Sequence, residues 1–423
     1  MKCRNCNSND IKKIIFIGKQ PLSGIFLKRK NYNLKKYSLD LYICKKCDLV
    51  QIGKNAPESK MFGDNYGYQS SISKLMTAHL KKIYQKLITK KFINNTSSVL
   101  DIGSNDGTFL NFFKKTNTLF GVDPSSNKFR YLYNHHIKRI NNFFSYKNVQ
   151  KFFGKNKNQK FDLISSIAMF YDVNDPNKFC KDIFKLLKPN GIWILELSYF
   201  PLLLKNLTYD QICHEHVTYY TLNVFKKIVE KNDFKVIETE INEINGGSIQ
   251  IICAKKDSIR KIKLPEKIRG ILKDEKKINL KSYQNFNNRI SNLKNKINLF
   301  FHKNKKRKIY GYGASTKGNI VLNYCKISNR NLSSICDSNV SKVGFFTPGS
   351  NIEIISKEKM RLDHPDFLIV FIWSFRKEVI KQEMNFIKKG GKLIFLLPRF
   401  HIVESKNYKT YLKKNFQDQS YRY

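Results

Sequence analysis

Between residues 70 and 255 short apolar runs alternate with segments whose apolar residues recur every three or four positions. SSVLDIG (97–103), LFGVD (119–123), FDLISSI (161–167) and GIWILEL (191–197) read as strands, and the stretches between them as helices. That alternation predicts a parallel sheet with helices covering it. The pattern changes over residues 256–305. There, IRGILKDEKKINL and ISNLKNKINLFF place apolar residues at helical spacing among many lysines, which predicts long amphipathic helices. It changes back at 306, where KIYGYG, SSICD, DFLIVFIW and KLIFLLP give a second strand–helix series. Residues 1–62 carry only short strands and turns between two Cys-x-x-Cys pairs. The expected fold class is α/β. It comprises a small N-terminal domain (1–62), a Rossmann-like domain (70–255), a helical connector (256–305) and a second Rossmann-like domain (306–423).

Composition narrows the partners. No apolar run approaches the ~20 residues that span a bilayer, and the start MKCRNCNSND lacks a secretory signal's apolar stretch. A cytoplasmic protein with no membrane partner is expected. The net charge of +45 suggests nucleic acid at first sight. The lysines, however, are spread along the whole chain with asparagine and isoleucine, and no nucleic-acid motif accompanies them, so no nucleic-acid partner is expected. Such a charge still draws a phosphorylated substrate.

Cys3-x-x-Cys6 and Cys44-x-x-Cys47 have the spacing of knuckles that together give four thiolates to one zinc ion. A closed tetrahedral set leaves no position for substrate, so the zinc is expected to be structural. In SSVLDIGSNDGTFL a strand ends at Asp101, a turn carries Gly103, Asn105 and Gly107, and a helix follows. Asp101 and Asp106 stand where a dinucleotide would place its pyrophosphate. Two carboxylates oppose a phosphate but suit a ligand with an ammonium and a sulfonium, which is S-adenosylmethionine (SAM). The next strand ends at Asp123, beside Pro124, where a carboxylate accepts both ribose hydroxyls.

GYGASTKGN (311–319) has the opposite electrostatics. Gly313, Ala314, Ser315, Thr316 and Lys317 offer backbone N–H groups, hydroxyls and an ammonium at a helix start, which suit an anion. Asp337, at the end of the next strand, is placed to accept sugar or ribose hydroxyls. Two units of opposite preference imply two ligands. Between them lies QICHEHVTYYT (211–221), with His214, Glu215 and His216 after the strand GIWILEL. A metal site there would need a third ligand, which is not evident nearby. Histidines satisfied in ordinary packing are the bland alternative. Acid–base chemistry is preferred, since a neighbouring carboxylate tunes a histidine that titrates near neutrality.

The chain resembles the sugar C-methyltransferases that act on nucleotide-linked 4-keto-deoxyhexoses. The resemblance runs the whole length through CxxC…CxxC, DNYGYQSS (64–71), LDIGSNDG, MFYDVNDP (169–176), YDQICHEHVTYY, NGGS (245–248) and GYGASTKGN. It implies SAM and structural zinc as cofactors, and an NDP-sugar, of the dTDP-4-keto-deoxyhexose kind, as substrate. It further implies that His216 removes the proton on C3, that Glu215 orients the sugar or the base, and that Tyr66 and Tyr68 line the sugar pocket, with His214 beside them. Cys213 stands where some relatives carry tyrosine, and Asn245 where a histidine is frequent, so Asn245 is a substrate-contact candidate.

Overall fold

The computed structural model describes residues 1–62, 67–154, 159–260 and 266–414. The N-terminal unit holds β1 (Ile11–Ile15), a ribbon of β2 (Lys19–Pro21) and β3 (Lys36–Ser38), and then β4 (Leu41–Cys44) and β5 (Val50–Ile52). β1, β4 and β5 pair antiparallel in that order. Cys3 and Cys44 are fully buried, and the four sulfurs of Cys3, Cys6, Cys44 and Cys47 lie within 4.8 Å of one another. A tetrahedral ion with Zn–S bonds of 2.3 Å needs sulfurs about 3.8 Å apart. The Cys3–Cys47 and Cys6–Cys44 pairs stand at 3.5 Å, so the four thiols fit zinc.

The second unit supplies β6 (Ser98–Ile102), β7 (Thr118–Val122), β8 (Lys138–Ile140), β9 (Phe161–Ile167) and β10 (Leu187–Ser198). After the two-residue β11 (Thr218–Tyr219), β12 (Phe234–Asn242) and β13 (Ser248–Lys255) complete it. The seven-stranded sheet has the order β12-β13-β10-β9-β6-β7-β8, and β13 runs antiparallel to both its neighbours. All five residues of β6 are buried, as a strand covered by helices on both faces must be. From β6 the chain steps outward through β7 and β8, then returns to lay β9 on the other side. That reversal opens a crevice above the carboxyl ends of β6 and β9, where open α/β sheets bind ligands.

The third sheet contains β14 (Ile309–Tyr312), β15 (Ile335–Asp337), β16 (Ile354–Ser356), β17 (Phe367–Val370), β18 (Lys392–Phe395) and β19 (His401–Val403). Its order is β16-β15-β14-β17-β18-β19, parallel except for β19. Here the reversal falls between β14 and β17.

The segment expected as a connector does more than connect. Helix Leu280–Lys303 buries Tyr283, Phe286, Ile290, Leu293, Ile297 and Phe301, a stripe at steps of three and four. Asn287 donates to the Ile14 carbonyl (2.8 Å) and accepts from the Phe16 N–H (3.1 Å), fixing the helix to β1. One apolar core therefore runs from Ile15 and Leu41 through Phe286 and Ile297 to Ile320 and Ile369. Ahead of it, helix Glu266–Glu275 ends on a buried carboxylate. Glu275 accepts from the Tyr199 hydroxyl and from the N–H groups of Leu222 and Asn223, so it satisfies the free donors that open helix Leu222–Lys231.

β11 joins neither Rossmann-like sheet. It pairs antiparallel with β5, placing Thr218 opposite Gln51 and Tyr219 opposite Val50. Gln51, fully buried, accepts from the Arg4 N–H and donates to the Lys2 carbonyl, on either side of Cys3. The cysteine knuckle, β5 and the strand after His216 thus form one mechanical unit. Replacing Cys3 and Cys44 by serine should abolish zinc content, lower the melting temperature by several degrees and reduce turnover in parallel. Metal analysis, thermal denaturation and initial rates check this together. Normal melting without zinc would contradict the coupling.

Candidate active site

The crevice above β6 is a cavity of about 300 Å³. Of the residues expected at the cofactor, Asp101, Gly103, Asn105, Asp123 and Pro124 line it, joined by Tyr68, Ser70, Met169 and Asp172. Gly103 has φ +74°, and a Cβ there would meet the Met169 side chain at 3.0 Å, so glycine keeps the cradle open. Gly107 lies behind the cavity wall. Its φ is +76°, and a Cβ would strike the Tyr133 ring at 2.7 Å, so it lets that ring pack close. The Tyr133 hydroxyl in turn donates to the Asn105 carbonyl (2.8 Å) and fixes the turn.

Asp123 is held at both oxygens. Oδ2 accepts from the Asn105 N–H (2.9 Å), and Oδ1 accepts from the N–H and hydroxyl of Ser125. A carboxylate retains further lone pairs, and these suit a ribose diol. Asp101 accepts from the Ser165 hydroxyl at 2.6 Å, and burial, aided by the charge of Asp123, pushes its carboxyl up to about 7. A buried carboxyl of this kind fits a cationic ligand. Asp106 does not face the cavity. Its oxygens accept from the Ser71 N–H (2.8 Å) and the Thr108 hydroxyl (2.6 Å), because the turn directs it to the strap at 68–72. Asn105 Oδ1 accepts from the Ser70 N–H (3.0 Å) and ties down the same strap, which brings Tyr68 to the cavity rim. Tyr66 lies outside the described residues.

The segment 208–221 stands beside this cavity. His216 Nδ1 lies 2.8 Å from the Gln211 carbonyl, and since a carbonyl only accepts, Nδ1 carries the proton. Nε2 is then the bare nitrogen. The ring packs on Tyr171 with centroids 4.1 Å apart. Burial, with help from the positive charge of Lys317, lowers its pKa to about 3, so the imidazole is neutral. His214 turns the other way. It is buried against the N-terminal unit, 3.5 Å from Ser23 Oγ and edge-on to Tyr37, because the chain bends at 214–215 and breaks the extended register that would put residues 214 and 216 on one face. It supports the interface and stands apart from His216.

Glu215 is buried, and its Oε1 lies 2.7 Å from the position a Cβ on Gly24 would take, with Thr316 Oγ1 also close to that point. Its second oxygen has no hydrogen-bond partner, nor does Oδ1 of Asp172. Burial raises both carboxyls, and the charge of Glu215 raises Asp172 further, well above the ordinary range. In the sequence, MFYDVNDP assigns Asp172 no role. Only the packing of the Phe170–Asp172 turn against residues 217–218 reveals it: the Tyr171 carbonyl accepts from the Val217 N–H (2.9 Å) and the Thr218 hydroxyl (3.1 Å).

The glycine turn of the third sheet closes the site from the other side. Gly313 has φ +89°, and a Cβ there would meet Ile372 at 2.7 Å. Its polar groups are more committed than an anion cradle needs. The Ala314 N–H donates to Asp337 Oδ2 (2.8 Å), and Asp337 Oδ1 accepts from the Asn339 N–H (2.7 Å). Ser315 Oγ caps its own helix, Thr316–Cys325, by accepting from the Gly318 N–H (3.0 Å). Lys317 leaves the turn altogether and donates to the carbonyl of Asn245 (3.3 Å). Asp210, fully buried on the 208–221 segment, accepts from the Trp373 indole N–H (2.7 Å) and ties that segment to the third unit.

Comparison with known proteins matches this architecture. A family model described as "Putative zinc binding domain" covers residues 3–62, one described as "Methyltransferase domain" covers 73–239, and one described as "C-methyltransferase C-terminal domain" covers 243–398. The chain is 24% identical over 414 residues to C-methyltransferase NovU of Streptomyces niveus, spanning 96% of this chain and 97% of that one. Among solved structures it overlaps a SAM-dependent methyltransferase from Clostridium acetobutylicum (15% identity, 42% of this chain, 90% of that one, TM-score 0.31). It also overlaps the magnesium protoporphyrin IX methyltransferase ChlM of Synechocystis with bound SAM (11% identity, 42% and 79%, TM-score 0.32). The protein is a SAM-dependent methyltransferase with a zinc-binding N-terminal domain. More narrowly, the domain that closes it matches the C-methyltransferase C-terminal model, and the full-length relative is itself a C-methyltransferase.

The buried Asp101 should give SAM binding a pH dependence. In the free site this carboxyl holds a proton below about 7, whereas a sulfonium and an ammonium favour the ionised form. Affinity should therefore rise with pH up to about 7 and flatten above it, with a proton released on binding at pH 6. Calorimetry in buffers of different ionisation enthalpy checks this, and Asp101→Asn should remove the dependence.

Proposed function

We propose that the protein transfers a methyl group from SAM to C3 of an NDP-linked 4-keto-deoxyhexose, with His216 as the base. The observation that carries this reading is the tautomer of His216. Its Nδ1–H is held by the Gln211 carbonyl, so a neutral ring presents a proton-free Nε2 between the methyltransferase unit and the third sheet. Transfer to carbon needs a base for a carbon-bound hydrogen, and the 4-keto group acidifies the hydrogen on C3. The C3–H bond breaks, its proton passes to Nε2, and the electron pair forms C3=C4 as the carbonyl becomes an enolate. SAM supplies an electrophilic methyl carbon on a positively charged sulfur. C3 takes that carbon, C4=O re-forms, and the sulfur keeps the bonding pair.

The remaining groups position the substrate. Glu215 and Asp172, both raised by burial, are shifted toward their protonated forms, and a carboxyl that holds its proton can donate to a sugar oxygen as well as accept from a hydroxyl. Their location between the SAM cavity, Gly24 and Thr316 supports a sugar ring bound where the three domains meet. The nucleotide would extend along the third unit from Gly313 to Thr316, where Lys342, bonded to the Ala314 carbonyl (2.8 Å), adds a positive charge. Asn245, whose carbonyl is engaged by Lys317, borders the same space.

Incubation with methyl-labelled SAM and a panel of dTDP-, CDP- and GDP-4-keto-6-deoxysugars should put the label on C3, as read by NMR. Methylation of the 4-hydroxy sugar at equal rate would instead indicate transfer to oxygen. His216→Gln should lower turnover by at least about 100-fold and leave the dissociation constant for SAM within about twofold, because the ring does not line that cavity. Unchanged turnover would remove His216 as the base.

A further inference from the structure

An enolate carries its charge on oxygen, so the base solves only half of the problem. The oxygen needs a donor fixed before the proton leaves. Among the nearby tyrosines Tyr209 is engaged elsewhere, whereas the Tyr219 and Tyr220 hydroxyls are buried without a partner among the described residues. The Tyr209 hydroxyl points to Cys325 Sγ at 3.4 Å, and Tyr220 faces the Thr218 and Arg4 side of the N-terminal unit. Tyr219 looks toward Asp172, Glu215 and Cys213.

We infer that Lys317 meets the developing enolate oxygen, so that the base and its electrostatic partner come from different domains. This rests on the reading above that the reaction passes through an enolate. Among the described residues the ammonium donates to the Asn245 carbonyl, and an ammonium has three N–H groups. Its neighbours form a purpose-built seat. Asn245 adopts a left-handed conformation (φ 55°, ψ 18°) that turns its carbonyl toward the lysine. Gly246 follows with φ +90° and lies so close to the Trp373 ring that a Cβ would collide with it. The indole N–H of Trp373 fixes Oδ2 of Asp210 (2.7 Å), and the charge of Asp210 opposes the loss of the lysine's proton on burial. Oδ1 of Asp210 and Oε1 of Gln211 are buried without partners beside it, which marks the space as one that a polar ligand fills. The charge of Lys317 also reaches His216, and Gly246, next to Asn245, lies against the side chain of Gln211, whose carbonyl holds the His216 ring. The glycines of NGGS and the lysine of GYGASTKGN, far apart in sequence, thus build one device.

The experiment separates proton removal from methyl transfer. In D2O with the demethylated donor in place of SAM, wild-type enzyme should exchange the C3 hydrogen of its 4-keto sugar nucleotide, followed by NMR. Lys317→Met should slow this exchange at saturating substrate about 100-fold or more, with sugar-nucleotide affinity within threefold and SAM affinity unchanged. Lys317→Arg should keep part of the rate. His216, observed by nitrogen NMR in Lys317→Met, should titrate above its value of about 3, because a neighbouring positive charge has gone. Exchange within threefold of wild type would overturn the inference, and if sugar-nucleotide affinity also collapsed, Lys317 would be a phosphate ligand. An unmoved His216 would overturn it as well. No exchange by the wild-type enzyme on any keto sugar would sink the enolate reading itself, a result recognisable because it precedes any variant.

Discussion

Everything at the centre of this molecule depends on how residues 208–221 are held. Asp210 is bonded to Trp373 of the third unit, Val217 and Thr218 to the carbonyl of Tyr171 in the second, and Thr218 and Tyr219 to β5 of the first. Each attachment is buried, where a lost partner leaves a polar group unsatisfied at a cost of about 1–3 kcal/mol. A segment fixed at three points has little freedom to rotate, and His216 and Glu215 sit between those points. Preorganisation here is a property of the joint between domains, and no single domain possesses it.

The joint also divides the electrostatics. Buried carboxyls collect toward the SAM side at Asp101, Asp123, Asp172 and Glu215, while Lys317 and Lys342 enter from the third unit. Neither set would be stable in the other's place, because burial penalises each charge and only its own ligand or partner offsets the penalty. Asp101, raised to about 7, shows the cost on the carboxyl side when no cation is present.

Much of this was legible from the chain alone. The strand runs, the glycine turns at Gly103 and Gly313, and the cysteine pairs each state a local requirement, and local requirements survive in a one-dimensional pattern. What the pattern could not carry is pairing between distant segments. β11 is two residues long, too short for a periodic signal, and its partner lies in another domain. Asp106 and Asp101 look equivalent in LDIGSNDG, yet the turn aims one at the cavity and the other at the 68–72 strap. His214 and His216 look like a pair, yet the bend at 214–215 sends them to opposite sides. Lys317 looked like a phosphate ligand because its helix start has that chemistry, but its long side chain carries the charge away from the turn. The amphipathic stripe of 280–303 was visible, though not that it would weld the first unit to the third.

The shared sheet of β5 and β11 has a consequence for birth on the ribosome. β5 is synthesised long before Thr218 and Tyr219 exist to cover it, so the nascent N-terminal unit waits with an open strand edge. The zinc knuckle can order its end of that unit meanwhile, but final closure comes only when the middle of the chain arrives, which ties maturation of the first domain to translation of the second.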